Sequence, residues 1–280
     1  MIGWIMQKTI SLTIRVFEYL HPAMAQRLKF FRLYKEPMNV KEPRLFAEKI
    51  IVRMNSKDFE KFSEYADKWK VREYVAKVIG EEYLLPLLGV YDRPRNVNYD
   101  EIPEGAYLKL NHGSGYNIVF EKARIQEVKR KIDKWFREDY SKKACERQYK
   151  NIQRKILIEK NLAPNGERLW EFSFFVFHGK TEFTQIRDNA HHRFEVGRSY
   201  ETLPFQLYST VTETEPMAPE YSCMIEMAEK LAQPFSFVRV DFLMVDHRIY
   251  FGELTFSPGA GMKKFKPYEY NIIFGDKMGL

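Results

Sequence analysis

The sequence predicts an α+β fold. Two observations support this class: strand patterns follow one another as hairpins, and helical patterns are segregated between them instead of alternating with single strands. The chain has 280 residues, of which 45% are hydrophobic, so it is long enough to bury one large core or two modest ones. With 14 glycines and 13 prolines, it does not have the composition of a collagen or a flexible linker.

The elements follow from the spacing of apolar residues. Helical spacing predicts helices over residues 56–80, 121–140 and 220–232, and in the first of them Asp67 is a candidate N-cap and Gly80 a candidate C-cap. Spacing of two, or a short apolar run between turns, predicts strands over residues 107–110, 155–160, 172–177, 181–187, 237–245 and 248–256. The last two form a hairpin that turns at Asp246-His247.

The net charge of +7 is concentrated at the start of the chain. Residues 1–35 carry six basic side chains and one acidic one, with Met6, Ile10, Ile14 and Phe17 at helical spacing, whereas the remaining 245 residues carry only +2. Such a segment either binds an anionic membrane surface or packs its apolar stripe on the protein. A nucleic-acid binder spreads its basic face over the folded body, so no nucleic-acid partner is expected.

Neither a membrane span nor secretion is expected. Charged residues interrupt the apolar runs of the N-terminal segment, and no stretch approaches the roughly 20 apolar residues that a span requires. Two cysteines, Cys145 and Cys223, are too few for a disulfide framework. We expect a cytoplasmic protein, bound peripherally at the inner face of the cell membrane if residues 1–35 bind lipid.

The last hairpin carries the strongest chemical signal. Alternation puts Arg239 and Asp241 on one face of its first strand, and Glu253 and Thr255 share a face of its second. A three-residue turn would place Asp241 opposite Glu253. Carboxylates so placed repel each other unless they hold a cation, and oxygen ligands alone suit Mg²⁺. An incidental pair of charges on a solvated hairpin is the alternative from these residues alone.

The motif resembles the metal hairpin of ATP-grasp ligases such as D-alanine–D-alanine ligase. The segments Arg239-Val240-Asp241 and Glu253-Leu254-Thr255-Phe256-Ser257-Pro258-Gly259 match that family's R-x-D and E-x-N-x-x-P-G, with Thr255 in place of the usual asparagine. Three further parts occur upstream in the family's order: Asp67-Lys68, Lys109 before a glycine loop, and Glu159-Lys160-Asn161-Leu162. Residues 39–49, 65–75, 108–115 and 250–256 look most like the TupA-like ATP-grasp family, which is associated with teichuronopeptide, capsule and O-antigen synthesis.

The resemblance implies an ATP-grasp fold, in which two α+β lobes grip ATP, with an N-terminal helical region. It divides the chain into residues 1–35, a basic amphipathic helical segment; 36–105, a helical or α+β region; 106–162, the small lobe; and 163–280, the C-terminal lobe with the Mg²⁺ hairpin.

The resemblance also implies roles for individual residues. Lys68, Lys109 and Arg239 would bind ATP phosphates, with Arg239 stabilising the transferred phosphoryl group. The loop residues Asn111, Gly113, Ser114 and Gly115 would cover the phosphates, and Glu159, Lys160 and Leu162 would meet adenine. Asp241, Glu253 and Thr255 would hold Mg²⁺. The predicted catalytic set is Arg239, Lys109, Arg187, Arg193 and Ser257.

The acceptor side is predicted from one basic loop. Arg187, Arg193 and Arg198 lie close in sequence with His191 and His192. Arginines bind planar anions in a bidentate manner, so they suit a glycan or amino-acid carboxylate, and a histidine can act as base toward an amine. A solvated polar loop is the alternative.

These inferences predict an ATP-dependent carboxylate–amine ligase. It would join the carboxylate of a uronic acid in a surface polysaccharide to an amino acid through an acyl phosphate. A sugar kinase that uses the same ATP site is the first alternative. A glycosyltransferase is the second, although the chain lacks the D-x-D motif of many such enzymes. A membrane-surface scaffold with a vestigial ATP site is the alternative outside enzymes.

Overall fold

The computed structural model describes residue 17, residues 20–207 and residues 213–279. Within these residues the chain forms eight α-helices and nine β-strands, and the strands make two antiparallel sheets. The predicted α+β class is confirmed, because all strand pairs are antiparallel, several of them hairpins of sequence neighbours, while the helices lie outside the sheets.

The helices are short, and most are separated by turns of 3-10 helix. They are α1 (Pro22–Tyr34), α2 (Phe46–Asn55), α3 (Ser63–Ala66), α4 (Val71–Val78), α5 (Ile125–Arg137), α6 (Tyr140–Ala144), α7 (Tyr221–Ala232) and α8 (Glu269–Met278). None of the helices in the described ranges combines the length and the apolar character needed to cross a membrane.

The strands divide into a small sheet and a large sheet. The small sheet has the order β1-β4-β2-β3, formed by β1 (Leu87–Tyr91), β2 (Tyr107–Leu110), β3 (Asn117–Val119) and β4 (Ile156–Glu159). The large sheet has the order β7-β6-β5-β8-β9, formed by β5 (Trp170–Phe177), β6 (Lys180–Asp188), β7 (Arg193–Gly197), β8 (Phe237–Val245) and β9 (Arg248–Thr255).

The small sheet is covered on one face by α5. Val128 and Ile132 of this helix are buried against Leu108, Leu110 and Ile158 of the sheet, because the helix places its few apolar residues on one side. Residues 87–91 belong to the same sheet through their pairing with β4. The sheet therefore begins well before residue 106, where the sequence analysis starts the small lobe.

The large sheet has two unlike faces. One face carries Phe172, Phe174 and Phe242 against α7, and all three side chains are buried. The opposite face is aromatic near Phe175 and polar near Asp241. The polar half of this face forms one wall of the candidate site.

The predicted helix over residues 56–80 is interrupted. A 3-10 turn (Lys57–Phe62) is followed by α3, which ends at Ala66, just before Asp67. The next helix, α4, begins only at Val71. The Asp67 carboxylate accepts the backbone amide of Trp69 at 2.8 Å, a local bond that competes with helical hydrogen bonding. The interruption turns Lys68 out of the helix.

The N-terminal basic segment is described only in part, because residues 1–16, which include Met6, Ile10 and Ile14, lie outside the described residues. Within α1, Phe30 and Tyr34 are buried and their rings stack at 4.4 Å. The Tyr34 hydroxyl donates to the Lys263 carbonyl at 2.8 Å. One side of α1 therefore packs on the protein.

Candidate active site

A cavity of about 270 Å³ lies between the small sheet and the polar half of the large sheet. Its walls carry three cations and two carboxylates that the sequence motifs had singled out: Lys68, Lys109, Arg239, Asp241 and Glu253. These residues come from four separate segments, which are the turn after α3 and the strands β2, β8 and β9.

The hairpin of β8 and β9 places Asp241 directly opposite Glu253. The predicted three-residue turn is wrong: Val245 pairs with Arg248, so the turn has two residues. Asp246 and His247 in that turn both have positive φ, as a type I′ turn requires. The two carboxylates still face each other because a bulge shifts the register between Asp241 and Phe242.

Gly252 is the extra residue of this bulge. A Cβ atom on Gly252 would lie 3.0 Å from the Asp241 carbonyl oxygen and 3.4 Å from the Asp241 Cβ. Only a residue without a side chain fits so close to the neighbouring strand. The bulge therefore supplies the register shift that the turn does not.

Arg239 connects the two carboxylates. Its Nε and Nη2 donate to the two oxygens of Asp241 at 2.8 and 2.5 Å, and its Nη2 also lies 3.3 Å from Glu253 Oε1. Asp241 is only 3% exposed. This arrangement compensates the charge of two adjacent carboxylates with one guanidinium.

The two carboxylates differ in their electrostatic environment. Burial raises the pKa of Asp241 to about 6, against the opposing effect of Arg239. Burial also acts to raise the pKa of Glu253, but Lys68 and Arg239 outweigh it and hold that pKa at about 2. Glu253 is therefore ionised throughout the physiological range, and Asp241 becomes fully ionised only above its raised pKa.

These oxygens fit a magnesium ion. The described residues contain no group of three or more His, Cys, Asp and Glu side chains that could hold a metal ion, so the candidate site has two carboxylates only. Two carboxylates are the number that Mg²⁺ takes when phosphate and water complete its shell. The Thr255 hydroxyl donates to Glu253 at 2.7 Å and accepts from Arg239 at 3.1 Å, so in this structure it orients the carboxylate.

Lys68 enters the cavity from the turn between α3 and α4. Its Nζ donates to the Gly113 carbonyl at 2.9 Å and lies 3.7 Å from Glu253 Oε2. Lys109 projects from β2, and its Nζ lies 2.5 Å from Glu159 Oε2. Each ammonium group thus lies beside a carboxylate, and both line the same cavity.

The glycine loop between β2 and β3 closes one side of the cavity. Ser114 and Gly115 line it, and Gly115 has a φ of +74°, which favours glycine. Gly113 lies against Tyr140, whose ring atoms would be 2.8 Å from a Cβ there. Asn111 does not face the cavity: it is fully buried, and its amide donates to Asp67 at 2.8 Å. Its role is to anchor the loop.

The predicted adenine contacts are only partly brought together. Glu159 lines the cavity, but Lys160 and Leu162 line another cavity, and the Lys160 amide already donates to the Pro86 carbonyl at 3.2 Å. Strand β4 ends at Glu159, so the residues after it leave the cavity. The prediction for Lys160 and Leu162 therefore does not fit the structure.

The apolar end of the cavity was not predicted from the sequence. Leu85, Leu243 and Phe251 line this end, beside Arg72. Leu243 lies two residues beyond Asp241, so strand alternation alone would have placed it on the same face. Leu85 carries no comparable signal, because it lies in a segment without regular periodicity. Leu85 and Leu243 present apolar side chains at this end, whereas Phe251 pairs with Phe242 and therefore turns its side chain to the opposite face of the sheet.

The basic loop does not form one site. Arg187, at the end of β6, lines the cavity and lies 2.7 Å from each oxygen of Glu171. Arg193, which starts β7, lines a different cavity, and Arg198 pairs with Glu229 on α7 at 2.9 Å. Arg187 and Arg193 are register partners across the β6–β7 hairpin but line different cavities, and Arg198 lies beyond the end of β7.

Ser257 and the two histidines also lie away from the cavity. Ser257 is 4% exposed, donates to Glu146 and accepts from Gln148 at 2.7 Å. His192 lies 2.9 Å from Asp188, which also pairs with Arg168, whereas His191 is exposed. A catalytic role for Ser257 does not fit its position, because its hydroxyl is turned into the protein.

A family model described as TupA-like ATPgrasp matches residues 48–279. No curated protein matches the sequence. The chain is also similar to solved structures of low sequence identity. D-alanine–D-alanine ligase from Helicobacter pylori is 16% identical with a TM-score of 0.47, over 78% of this chain and 61% of that chain.

Two further structures show similar values. D-alanine–D-alanine ligase from Bacillus anthracis, complexed with ATP, is 15% identical with a TM-score of 0.43, over 69% of this chain and 53% of that chain. The ATP-grasp ligase PsnB, complexed with precursor peptide PsnA2 and AMPPNP, is 10% identical with a TM-score of 0.38, over 73% and 53%. The matched regions thus span between about half and three fifths of these structures.

Proposed function

Because the chain belongs to the TupA-like ATP-grasp family, we propose that it is an ATP- and Mg²⁺-dependent ligase that joins a carboxylate to an amine. One observation carries the proposal: Lys68, Lys109 and Arg239 surround the facing carboxylates Asp241 and Glu253 in a single cavity. Cations around a candidate metal site are the arrangement that phosphoryl transfer requires.

Each charged residue of the cavity has a proposed role that follows from its position. Asp241 and Glu253 would hold Mg²⁺, and Lys68 and Lys109 would neutralise phosphate oxygens. Arg239 bonds both carboxylates and lines the same cavity, where its guanidinium would stabilise charge that develops on a transferred phosphoryl group. Leu85 and Leu243 offer apolar contact for a base, and the Glu159 carboxylate in the same cavity would accept from an exocyclic amine.

The proposed reaction has two steps. A substrate carboxylate takes the γ-phosphoryl group of ATP to give an acyl phosphate and ADP. An amine then attacks the acyl carbon and releases phosphate, which leaves an amide. Arg187 lines the same cavity on the large sheet and is placed to bind the substrate carboxylate.

The proposed substrates are a uronic-acid carboxylate of a surface polysaccharide and an amino acid. The association of the TupA-like family with teichuronopeptide and capsule synthesis supports this pair, as does the guanidinium of Arg187 beside the ATP site. The same association supports a position at the inner face of the cell membrane. Leu20, just before α1, is 59% exposed, and Met24 and Phe31 on α1 are 44% and 51% exposed. Arg27 and Arg32 on the same helix are exposed as well.

Hydroxylamine distinguishes a ligase from a kinase. It intercepts an acyl phosphate as a hydroxamate, whereas a sugar phosphate ester does not react with it. We expect enzyme, Mg·ATP, galacturonate and hydroxylamine to yield hydroxamate and ADP, and the Asp241→Asn variant to yield neither. A stable phosphorylated sugar in place of hydroxamate assigns the protein as a kinase. Sugar transfer from a nucleotide donor without ATP rules out both reactions.

A further inference from the structure

A second polar cavity, of about 450 Å³, lies at the β7 edge of the large sheet. Four cationic side chains line it: Arg193, Lys263, Lys264 and Lys266. Its other described lining residues are uncharged, and no carboxylate is among them. We call this the basic cavity.

The cations of the basic cavity lie on a backbone that is held in place. Gln206 and Lys266 exchange backbone hydrogen bonds at 2.7 and 2.8 Å. The Lys263 carbonyl accepts from the Tyr34 hydroxyl, and Lys264 Nζ lies 5.0 Å from the centroid of the Tyr34 ring. The charges are therefore positioned by packing against α1 and by the pairing of two chain segments.

The like charges in this cavity affect one another. Burial lowers the pKa of the Lys263 ammonium, and the nearby Arg193 guanidinium lowers it further. Glu195 lies two residues along β7, outside the lining, and one of its oxygens accepts the Leu207 amide at 2.9 Å. The charged side chains that line the cavity are cationic, and cationic groups gathered in a cavity attract an anion.

The basic cavity adjoins the candidate active site through one pair of residues. Arg193 on β7 is the direct register partner of Arg187 on β6, which lines the main cavity. Directly paired residues of an antiparallel sheet have Cβ atoms about 5 Å apart on the same face. A chain of sugars with its reacting carboxylate near Arg187 would thus bring its next anionic group to the basic cavity.

We propose that the basic cavity binds a second oxyanion of the acceptor, so that the enzyme selects acceptors with several anionic groups. The inference rests on the proposed function, because it takes the main cavity as the site of the reacting carboxylate. Carboxylates and phosphates share the oxyanion chemistry that arginine and lysine recognise. The second oxyanion comes either from a neighbouring uronate of a glycan or from the diphosphate of a nucleotide sugar.

Binding without ATP tests the inference apart from turnover. Calorimetry would compare galacturonate, trigalacturonate and uridine diphosphate galacturonate. We expect at least one of the two larger ligands to bind at least tenfold more tightly than galacturonate. A gain for trigalacturonate identifies neighbouring carboxylates as the ligand, and a gain for the nucleotide sugar identifies the diphosphate. Equal affinity for all three ligands overturns the proposal.

Variants assign the affinity gain to the cavity. Lys266 is exposed, so Lys266→Gln should fold normally, and Lys264→Gln removes a second charge. We expect each variant to lose most of the gain for the larger ligand, while its affinity for galacturonate changes less than twofold. The control is Lys134→Gln, a lysine on α5 that is 73% exposed and should retain the gain. If both Lys266→Gln and Lys264→Gln keep the full affinity gain for the larger ligand, the proposal is overturned.

The hydroxamate assay separates this inference from the proposed reaction. If no hydroxamate forms but the affinity gain depends on Lys266, the ligase assignment fails and the anion site stands. The second outcome concerns rates at subsaturating acceptor. If hydroxamate then forms equally fast from galacturonate and from the larger acceptors, both in the wild type and in Lys266→Gln, the ligase assignment stands and this inference fails.

Discussion

The facing carboxylates of Asp241 and Glu253 would bind a cation together, but without a cation they repel each other across the strand pair. Arg239 relieves the repulsion by bonding both, and burial leaves Asp241 with a pKa near 6. The carboxylate that costs most to ionise is thus the one that a bound cation would stabilise most.

Removing either charge should abolish turnover without unfolding the protein. Asp241→Asn keeps an oxygen that accepts from Arg239, so we expect cooperative unfolding and a loss of no more than ~2 kcal/mol in stability. Because the charge that binds Mg²⁺ is gone, ATP consumption should fall by at least ~100-fold. Glu253→Gln should behave alike. Coupled-enzyme detection of ADP and thermal unfolding measure the two effects.

The matched control is Asp246→Asn. Asp246 is an exposed carboxylate in the turn of the same hairpin, and asparagine tolerates the positive φ of this position. It should retain full activity. Near-normal ATP consumption by Asp241→Asn and Glu253→Gln at ordinary Mg²⁺ would contradict their assignment as metal ligands.

His112 should make the glycine loop sensitive to acid. It is 2% exposed, and burial followed by the charge of Arg154 lowers its pKa to about 4, whereas an unfolded histidine has a pKa near 6.5. Between these values the unfolded chain binds more protons, so stability falls as the pH falls. The loss by pH 5 should be ~1–2 kcal/mol.

Urea unfolding at pH 7 and pH 5 measures the effect of His112. The comparison is His112→Phe, which keeps an aromatic ring beside Tyr116 and Phe136 but does not titrate. Carboxylates contribute to both proteins equally, so the wild type should lose ~1–2 kcal/mol more than the variant over this interval. Equal losses would mean that His112 titrates normally in the folded protein.

At the scale of elements, the β8–β9 hairpin depends on its bulge. Gly252→Ala would place a Cβ 3.0 Å from the Asp241 carbonyl oxygen, so the backbone of β8 at Asp241 must shift by a few tenths of an ångström. This shift moves Asp241 relative to Glu253. We expect the Mg²⁺ concentration for half-maximal ATP consumption to rise about tenfold, as ~1.4 kcal/mol of lost binding gives.

Gly166→Ala controls for backbone strain. Gly166 has a φ of +83°, so alanine is strained there as well, but no atom lies within 4 Å of the added Cβ. This variant should lose stability without a change in Mg²⁺ dependence. A normal Mg²⁺ dependence in Gly252→Ala would show that the bulge does not set the geometry of the carboxylates.

The elements show what the sequence could and could not predict. The pairing of Asp241 with Glu253 was predicted, but through a turn of three residues, because a bulge leaves no mark on the alternation except a glycine. The helix over residues 56–80 was predicted as continuous, since a periodic pattern does not reveal that Asp67 bonds a local amide. Strand β7 was missed because Arg193 and Arg198, at its two ends, were interpreted as parts of one loop.

The candidate site was predictable where its residues belong to motifs. Lys68, Lys109 and Arg239 were selected by their neighbours in sequence, and the structure brings them to one cavity. Lys160 lies outside that cavity, because β4 ends at Glu159 and the chain then leaves the cavity wall. The apolar lining was missed because leucine and phenylalanine are common everywhere, so only the fold distinguishes those beside the site.

At the scale of the whole molecule, two sheets share one cavity while α1 lies across the C-terminal segment. One side of α1 is fixed by Phe30 and by the Tyr34 hydroxyl bond to Lys263. Its other side leaves Met24 and Phe31 exposed. Helix α1 therefore packs on the protein and still presents Met24 and Phe31 as an exposed apolar stripe. Met6, Ile10 and Ile14 lie outside the described residues, and membrane binding by residues 1–35 stays a prediction.

The exposed stripe should bind anionic membranes. Serine at Met24 and Phe31 removes apolar area that would enter the headgroup region, and neither side chain is part of the core. We expect the double variant to bind vesicles with 30% phosphatidylserine at least about tenfold more weakly, since ~1.5 kcal/mol or more is lost for each large side chain. Sedimentation of vesicles at several salt concentrations measures this, and wild-type binding should fall as salt screens Arg27 and Arg32.

Met217→Ser is the matched control, because Met217 is 51% exposed at a distance in sequence from α1 and should leave vesicle binding unchanged. ATP consumption should be the same in all three proteins, since α1 does not line the main cavity. Equal binding of wild type and the Met24→Ser, Phe31→Ser variant would refute the membrane surface on α1. Aggregation of the variant would also refute it, because side chains that support the fold are not free to enter a lipid headgroup layer.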